Sequence, residues 1–161
     1  MAKYLVFSDS HGRDEKMLMI VDRHKDEIEG IFFLGDMENS GDMLRNSFPG
    51  PVYMVRGNCD WSLQAPAFQV FRLHGHTVAM THGHRQHVNM GIDTLKYWAQ
   101  EKEADVVMYG HTHVPFVEQT SVMTVLNPGS ISRPRQSGHI PTYAMIDFME
   151  NGEIAIEICK A

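Results

Sequence analysis

Five short apolar runs constrain this chain more than any other feature of its sequence, because each has the length of a strand and none alternates with polar residues. They are Tyr4–Phe7, Ile31–Leu34, Val52–Val55, Val78–Met80 and Val106–Tyr109. Strands lose their alternation when both faces of a sheet are covered. Two stretches between these runs, Asp14–Lys25 and Asn89–Lys102, carry apolar residues at helical spacing. The pattern predicts an α/β fold with buried strands joined by crossover helices.

The sequence after Gly110 has a different texture, with short runs in which apolar and polar residues alternate. These runs are Val114–Glu118, Val122–Leu126, Tyr143–Phe148 and Ile154–Ile158, and turn residues separate them. Asn151 and Gly152 lie between the last two runs and favour a type I′ hairpin, because that turn needs positive φ at both central residues. The C-terminal third is therefore predicted to be antiparallel.

Size and charge exclude several classes of protein. The length of 161 residues, without repeats or linkers, predicts a single domain over residues 1–161. Fourteen Lys and Arg against twenty Asp and Glu give a net charge of −6, which argues against a protein that binds long nucleic acids by neutralising their phosphates. Two cysteines a hundred positions apart do not imply a disulfide framework. The N-terminus has no secretory signal. No apolar run approaches the ~18 residues of a membrane span. We expect a cytoplasmic protein with no membrane partner.

Histidine, aspartate and asparagine residues cluster where the predicted strands end. The clusters are Asp9-Ser10-His11, Gly35-Asp36, Gly57-Asn58-Cys59-Asp60, Thr81-His82-Gly83-His84 and Gly110-His111-Thr112-His113. In open α/β sheets ligand sites form at the carboxyl ends of the strands, so these segments are predicted to converge on one crevice. The glycines before Asp36, Asn58 and His111 would let the backbone turn tightly enough to aim these side chains.

Seven of these side chains can bind a metal ion, and they offer two carboxylates, four imidazoles and one amide oxygen. They are Asp9, His11, Asp36, Asn58, His82, His111 and His113. The mixture suits borderline-to-hard divalent ions and lacks the thiolates of a structural zinc site. Seven ligands exceed the needs of one ion but fit two ions about 3.5–4 Å apart that share a carboxylate and hold the attacking and leaving oxygens of a phosphate.

In order and spacing, the five clusters resemble the signature blocks of the calcineurin-like metallophosphoesterases. The small size, the Gly57-Asn58-Cys59-Asp60 form of the third block and the segment Asn127-Pro128-Gly129-Ser130 are similar to the compact bacterial and archaeal phosphodiesterase subgroup, which is related to the retromer subunit Vps29. The resemblance implies a four-layer α/β/β/α sandwich of two packed mixed β-sheets flanked by helices. It also implies a metal-dependent phosphoesterase that prefers phosphodiesters.

The resemblance assigns roles to the seven ligands. One metal ion takes Asp9, His11 and His113, the other takes Asn58, His82 and His111, and Asp36 bridges them. A hydroxide held between the ions would attack the phosphorus of a small phosphate ester. Mn²⁺ is the expected cofactor, and Fe²⁺, Zn²⁺ and Ni²⁺ suit the same nitrogen and oxygen ligands.

Cys59 departs from many family members, which carry a histidine after the asparagine that helps to protonate the leaving oxygen. A thiol with an ordinary pKa of about 8.5 is a poorer general acid near neutral pH. We therefore expect a preference for phosphodiesters or activated esters over alkyl phosphomonoesters. The alternative is that Cys59 is only a small packed thiol near the site.

Four further residues carry open alternatives. His84 either contacts the substrate or supports a ligand, or it is an exposed loop residue. Arg133 and Arg135 could bind a substrate phosphate through bidentate hydrogen bonds, and the alternative is that they are solvated loop charges. Asp60 is expected to orient a ligand or to cap a turn.

Two other functions fit the same resemblance. A Vps29-like scaffold would bind other proteins and be catalytically weak, but loss of catalysis should leave an incapable residue at one ligand position, and all seven positions here are capable. A phosphomonoesterase of the protein-phosphatase type is disfavoured by Cys59 and by a chain too short to shape a polypeptide groove. We expect a small homo-oligomer.

Overall fold

The structure of the protein is a computed structural model that describes all 161 residues, with ten β-strands and three α-helices. The strands are β1 (Ala2–Phe7), β2 (Gly30–Phe33), β3 (Val52–Met54), β4 (Phe68–Leu73), β5 (His76–Thr81), β6 (Val106–Met108), β7 (Phe116–Gln119), β8 (Thr124–Asn127), β9 (Thr142–Phe148) and β10 (Ile154–Lys160). The helices are α1 (Glu15–His24), α2 (Asp42–Ser47) and α3 (Asp93–Glu101), and two 3₁₀ turns, His84–Gln86 and Val88–Met90, precede α3. None of the helices is long and apolar enough to cross a bilayer.

The strands form two five-stranded mixed sheets. The first has the order β10-β9-β1-β2-β3 and the second has the order β4-β5-β6-β8-β7. Strands β1, β2 and β3 run parallel in the first sheet, as do β5, β6 and β8 in the second, and the remaining pairs are antiparallel. The predicted fold class is confirmed.

Alternate residues of the central strands pack into different cores, which explains why their sequences are apolar throughout. In β1, Leu5 and Phe7 pack with Met17 of α1 in an outer core. Val6 packs with Val106 of the second sheet in the core between the sheets. Successive side chains of a strand point to opposite faces, so both sets are buried and the run Tyr4–Phe7 is apolar throughout.

Helix α3 covers the outer face of the second sheet. Its residues Leu95 and Ala99 are buried against Ala79 and Val107, which alternate with the residues that face the other sheet. The layers are therefore α1 and α2, the first sheet, the second sheet and α3. This arrangement leaves the ends of the strands as the places where a site can form.

Two local predictions are corrected, and two elements were missed. The helix predicted from Asn89 begins at Asp93, because the 3₁₀ turns and Gly91, with φ of 118°, come first. In the C-terminal third, β8 runs parallel to β6, although its pairing with β7 is antiparallel as predicted. Helix α2 was missed because it has six residues and buries only Leu44, and strand β4 has no fully buried residue.

The connection between β9 and β10 is a hairpin, as predicted, but its turn is not of type I′. Only Gly152 has positive φ, at 90°, and Asn151 does not. The amide of Gly152 donates to the carbonyl of Met149, so the tight turn spans residues 149–152. Gly152 is therefore the last residue of this turn and occupies the left-handed position of a longer hairpin loop.

Candidate metal centre

The seven predicted ligands follow the carboxyl ends of five strands, and both sheets contribute. Asp9 and His11 follow β1, Asp36 follows β2, Asn58 follows β3, His82 follows β5, and His111 and His113 follow β6. Strands β1, β2 and β3 belong to one sheet, and β5 and β6 belong to the other. The crevice therefore lies where the ends of two sheets meet rather than along one open sheet.

Five of the seven predicted ligands hold a left-handed backbone conformation that residues other than glycine rarely adopt. Their φ values are 56° at Asp9, 48° at His11, 60° at Asp36, 70° at His111 and 60° at His113. Such a conformation costs roughly 1–3 kcal/mol per residue and persists only where the surrounding fold enforces it. Sequence reasoning missed this feature, for which the tolerance of Asp and His for the left-handed region is only a weak signal.

We call Asp9, His11 and His113 the first ligand group. Asp9 Oδ1 lies 3.2 Å from His113 Nε2 and 3.7 Å from His11 Nε2, and these two nitrogens lie 3.2 Å apart. The other carboxylate oxygen of Asp9 accepts hydrogen bonds from the Ser8 hydroxyl at 2.5 Å and from the His111 amide at 3.0 Å. The fold therefore fixes one oxygen of Asp9 and leaves the other facing the imidazoles.

We call Asn58, His82 and His111 the second ligand group. His82 Nε2 lies 3.3 Å from His111 Nδ1 and 3.1 Å from Asp36 Oδ2. The same Asp36 oxygen lies 3.9 Å from His11 Nε2, so it faces both groups. Asn58 is exposed, and its amide nitrogen contacts the sulfur of the next residue at 3.5 Å. The six carboxylates and imidazoles thus lie together, with Asn58 on the exposed loop beside them.

Asp60 ties two loops of the site together. Its Oδ2 accepts hydrogen bonds from the amides of Asp36 and Gly57, both at 2.7 Å, and its Oδ1 accepts from those of Met37 and Glu38 at 2.9 and 2.8 Å. Hydrogen bonds to a charged acceptor are stronger than neutral ones. One carboxylate therefore orients the loops after β2 and β3, in keeping with the interpretation of Asp60 as an orienting residue.

Gly57 and Gly110 are needed for space rather than for positive φ. A Cβ at Gly57 would overlap the Asp36 carboxylate, and a Cβ at Gly110 would overlap the Ser8 hydroxyl and lie 2.7 Å from Asp9 Oδ2. Among the three glycines that precede ligands, only Gly35, with φ of 101°, makes the tight turn that the sequence analysis expected. The other two let a carboxylate approach the backbone closely.

Burial and charge act against each other at the two carboxylates. Burial raises the pKa of Asp9, but the imidazoles of His11 and His113 lower it by more, so this carboxyl titrates well below its usual range. Burial also raises the pKa of Asp36, and its contacts with His82 lower it by more, so the pKa of Asp36 lies below its usual value. Both groups are therefore charged at neutral pH and available as metal ligands.

The donor arrangement fits divalent cations. Asp9 Oδ1 is buried without a hydrogen-bond partner, although nitrogens of His11, His82 and His113 lie within 3.8 Å of it. Imidazole nitrogens that face one another at 3.2 and 3.3 Å require a proton or a cation between them. Nitrogen and oxygen donors of this kind suit first-row divalent ions.

Cys59 and His84 lie at the edge of the cluster. The Cys59 amide donates to Asp36 Oδ1 at 2.8 Å, and its sulfur is close enough to His11 and Asp36 to share a metal ion with them. Burial, followed by the charge of Asp36, raises the pKa of the thiol to about 11. The His84 ring lies 5.5 Å from that of His82, and burial lowers its pKa. Its Nδ1 is buried without a partner.

Arg133 and Arg135 are exposed, and their backbone is fixed to a predicted ligand. The Arg133 carbonyl accepts a hydrogen bond from His113 Nδ1 at 2.7 Å, and the Arg135 amide donates to the His113 carbonyl at 3.0 Å. The segment that carries both guanidinium groups therefore adjoins the first ligand group.

Cavity size alone does not identify this site. The largest cavity, about 390 Å³, lies at the amino ends of β5, β6 and β8, where His76, Asp105 and Thr124 line it. That is the opposite end of the strands from the ligands. A cavity of about 230 Å³, lined partly by Arg13 and Ser132, lies beside the loop that follows β1.

Comparisons with known proteins agree with this chemistry. Residues 2–151 match the model of the calcineurin-like phosphoesterase superfamily domain. The phosphodiesterase YfcE of Escherichia coli (strain K12) is 31% identical over 175 aligned positions, which cover 91% of this chain and 88% of YfcE. The structure of a conserved uncharacterized protein from Streptococcus pneumoniae TIGR4, described as a predicted phosphoesterase, is 31% identical, with a TM-score of 0.79 over 100% of this chain and 99% of that one.

Vps29 of Entamoeba histolytica has the same fold. The structure of a single mutant of that protein superposes with a TM-score of 0.77 and covers 99% of both chains. Its sequence is 18% identical, so the likeness extends to the fold alone.

Proposed function

Because the chain belongs to the calcineurin-like phosphoesterase superfamily, we propose that it is a phosphodiesterase that hydrolyses a small phosphate ester with two divalent metal ions. The observation that carries the proposal is the position of Asp36 Oδ2, which lies 3.1 Å from His82 Nε2 and 3.9 Å from His11 Nε2. A carboxylate between two sets of imidazoles can be a ligand to both ions of a pair.

In this proposal Asp36 is shared between the ions, and each ligand group holds one of them. The first group is Asp9, His11 and His113, and the second is Asn58, His82 and His111. Mn²⁺ is the proposed cofactor, with Fe²⁺, Zn²⁺ and Ni²⁺ as acceptable replacements. Bound ions of this kind lower the pKa of water from 15.7 towards ~7 and bind phosphate oxygens.

The protein's own residues would orient the substrate. Asn58, whose amide nitrogen contacts the Cys59 sulfur at 3.5 Å, would direct its amide oxygen towards the cluster. Arg133 and Arg135 would bind substrate phosphate oxygens, since their side chains are exposed on a segment anchored to His113. The neutral ring of His84 would contact the substrate from the edge of the site.

Cys59 would set the preference among esters. With a pKa of about 11, raised by burial and by Asp36, its thiol is neutral at pH 7 and a weak proton donor to a leaving oxygen. Cys59→His should raise turnover of alkyl phosphomonoesters relative to bis(p-nitrophenyl) phosphate by at least about tenfold, since general acids contribute roughly 10²–10⁴-fold. The matched control is Cys159→His on β10, which should leave the ratio unchanged. An unchanged ratio in Cys59→His would contradict this role.

The experiment that tests the proposed function uses chelator-stripped protein supplied again with Mn²⁺. Hydrolysis of bis(p-nitrophenyl) phosphate and p-nitrophenyl phosphate is measured for the wild type and for Asp36→Asn. We expect diester turnover that needs metal and is lost in the variant. Faster monoester turnover would indicate a phosphomonoesterase. Two tightly bound ions without turnover would indicate a scaffold of the Vps29 kind.

A further inference from the structure

Three of the four clustered imidazoles are held by a hydrogen bond from the ring nitrogen that faces away from the cluster. In each case Nδ1 donates: His82 to the Leu34 carbonyl at 2.6 Å, His113 to the Arg133 carbonyl at 2.7 Å and His11 to the Glu38 carboxylate at 3.1 Å. These acceptors cannot donate, so they place the ring proton on Nδ1 and leave Nε2 free to bind a metal ion.

His111 is the exception. It turns Nδ1 towards the cluster, 3.3 Å from His82 Nε2. Its Nε2 lies 3.0 Å from the side-chain amide nitrogen of Asn89, an exposed residue of the 3₁₀ turn Val88–Met90. Val88 is buried beneath α3, which anchors this turn. An amide can donate or accept, so this partner permits both tautomers of the His111 ring.

The two tautomers have opposite consequences for metal binding. An amide nitrogen that faces Nε2 donates to it, which places the proton of the His111 ring on Nδ1, the atom that faces the cluster. A metal ion shared with His82 requires an unprotonated Nδ1 and a protonated Nε2. Asn89 Oδ1 accepts from that Nε2 once the amide flips, and the oxygen and nitrogen of an amide differ little in size.

We propose that Asn89 is a positioning residue for His111. The orientation of the Asn89 side-chain amide selects the tautomer of the His111 ring in which Nδ1 binds the second metal ion. The inference rests on the proposed function only for the role of His111 as a ligand. Asn89 itself touches neither ion nor substrate. It occupies the place that a carbonyl or carboxylate occupies for the other three imidazoles.

Calorimetric titration with Mn²⁺ tests the effect on binding. Asn89→Leu removes the hydrogen bond with little change of shape, and Asn89→Asp can only accept. Met90→Asp is the matched control, because Met90 is 90% exposed and the substitution adds the same charge one residue away. We expect Asn89→Leu to weaken one Mn²⁺ site by about 10–100-fold and leave the other unchanged. Asn89→Asp should bind Mn²⁺ at least as tightly as the wild type, and Met90→Asp should have the affinity of the wild type.

The ¹⁵N NMR shifts of the His111 ring in metal-free protein test the tautomer directly. Asn89→Asp should move the ring to the form protonated at Nε2, and Asn89→Leu should give a mixture of both forms. Three results would overturn the proposal: wild-type Mn²⁺ affinity in Asn89→Leu, equal gains in Asn89→Asp and Met90→Asp, or ring shifts indifferent to both Asn89 substitutions. If the wild type binds no Mn²⁺, the proposed function fails, and the NMR result still decides whether Asn89 selects the tautomer.

Discussion

The two ligand groups differ in how firmly the fold holds them. In the first group, Asp9 and His113 are buried, and Asp9 is fixed by the Ser8 hydroxyl and a backbone amide. In the second group, His82 is equally buried, but Asn58 is exposed and His111 is supported by an exposed asparagine. One group is built into the core, and the other reaches solvent on one side.

This difference teaches how one crevice can combine affinity with access. Donors that are fixed before binding lose little conformational entropy when a ligand arrives. Donors on exposed loops must be ordered by the ligand itself, but they leave room for a substrate. We therefore expect the first group to bind its ion more tightly and the second group to respond more to changes in its surroundings.

Removal of Asp60 should have the largest effect, because it releases the loops that carry Asp36 and Asn58. Asp60→Ala leaves four backbone donors without their acceptor. Hydrogen bonds to charged groups contribute roughly 1.5–3 kcal/mol each, so we expect the free energy of unfolding to fall by about 3 kcal/mol or more. The melting temperature should fall by about 6–12 °C at this chain length.

Thermal unfolding of metal-free protein measures this effect, with Asp22→Ala as the control. Asp22 is exposed and paired with Lys25, so its removal should change the free energy of unfolding by less than ~0.5 kcal/mol. A melting temperature of Asp60→Ala within 2 °C or so of the wild type would mean that the loops hold without it.

Added methyl groups at two glycines should disturb the two ligand groups one at a time. Gly110→Ala crowds Asp9 of the first group, and Gly57→Ala crowds Asp36 and the loop of the second. Displacement of a ligand by about 1 Å can reduce turnover roughly 100-fold, and we expect that loss in both variants. Gly75→Ala is the control: no atom lies within 4 Å of its added Cβ, and its φ of 82° places the strain of the substitution before β5, at the opposite end of that strand from His82, so turnover should not change. Wild-type diester turnover in either crowded variant would show that these close approaches are dispensable.

The difference in burial between the two ligand groups predicts that metal ions bind in two stages. Titration of the metal-free protein with Mn²⁺ should show two affinities at least about tenfold apart, the range over which supporting contacts change metal affinity. His113→Ala should remove the tighter site and His111→Ala the weaker one. Two equal sites, or the reverse assignment, would contradict the view that burial makes the first group the stronger.

The pH dependence of stability should give the smallest effect, with opposite signs for His11 of the first group and His111 of the second. Asp9 raises the pKa of His11, so His11 stabilises metal-free protein below its unfolded pKa of about 6.5 and less as pH rises. Burial lowers the pKa of His111, so its contribution improves as pH rises.

Urea unfolding at about pH 5.5 and about pH 8 measures both signs, because histidine titrates between these values. Relative to the wild type, His11→Ala should become more stable as pH rises, and His111→Ala less stable. Changes of the same sign in both variants would contradict the prediction.

The architecture could be predicted because the two-sided burial of strands such as β1 leaves a direct trace in the sequence, and because polar residues follow each of those strands. The contact between Asn89 and His111 could not. The sequence pattern predicts a helix at Asn89, whereas Asn89 lies in a 3₁₀ turn between His87, with φ of 55°, and Gly91. Turns of this kind have no periodicity for a sequence pattern to detect.

The same limit applies to strand direction and to backbone conformation. The alternation in β8 indicates a strand but not whether its neighbour runs parallel, which depends on the path of the chain through β7. The left-handed ligands depend on tertiary contacts such as the bond from the His111 amide to Asp9 Oδ2. Information of that kind exists only once distant segments have packed.

The left-handed ligand residues have a consequence for the order of folding. Isolated segments disfavour this conformation, and the nitrogens of His11 and His113, which come within 3.2 Å, are 102 positions apart in the chain. A metal ion therefore has no assembled site until both sheets have closed on each other. Metal binding would then lower the rate constant of unfolding and leave the rate constant of folding nearly unchanged.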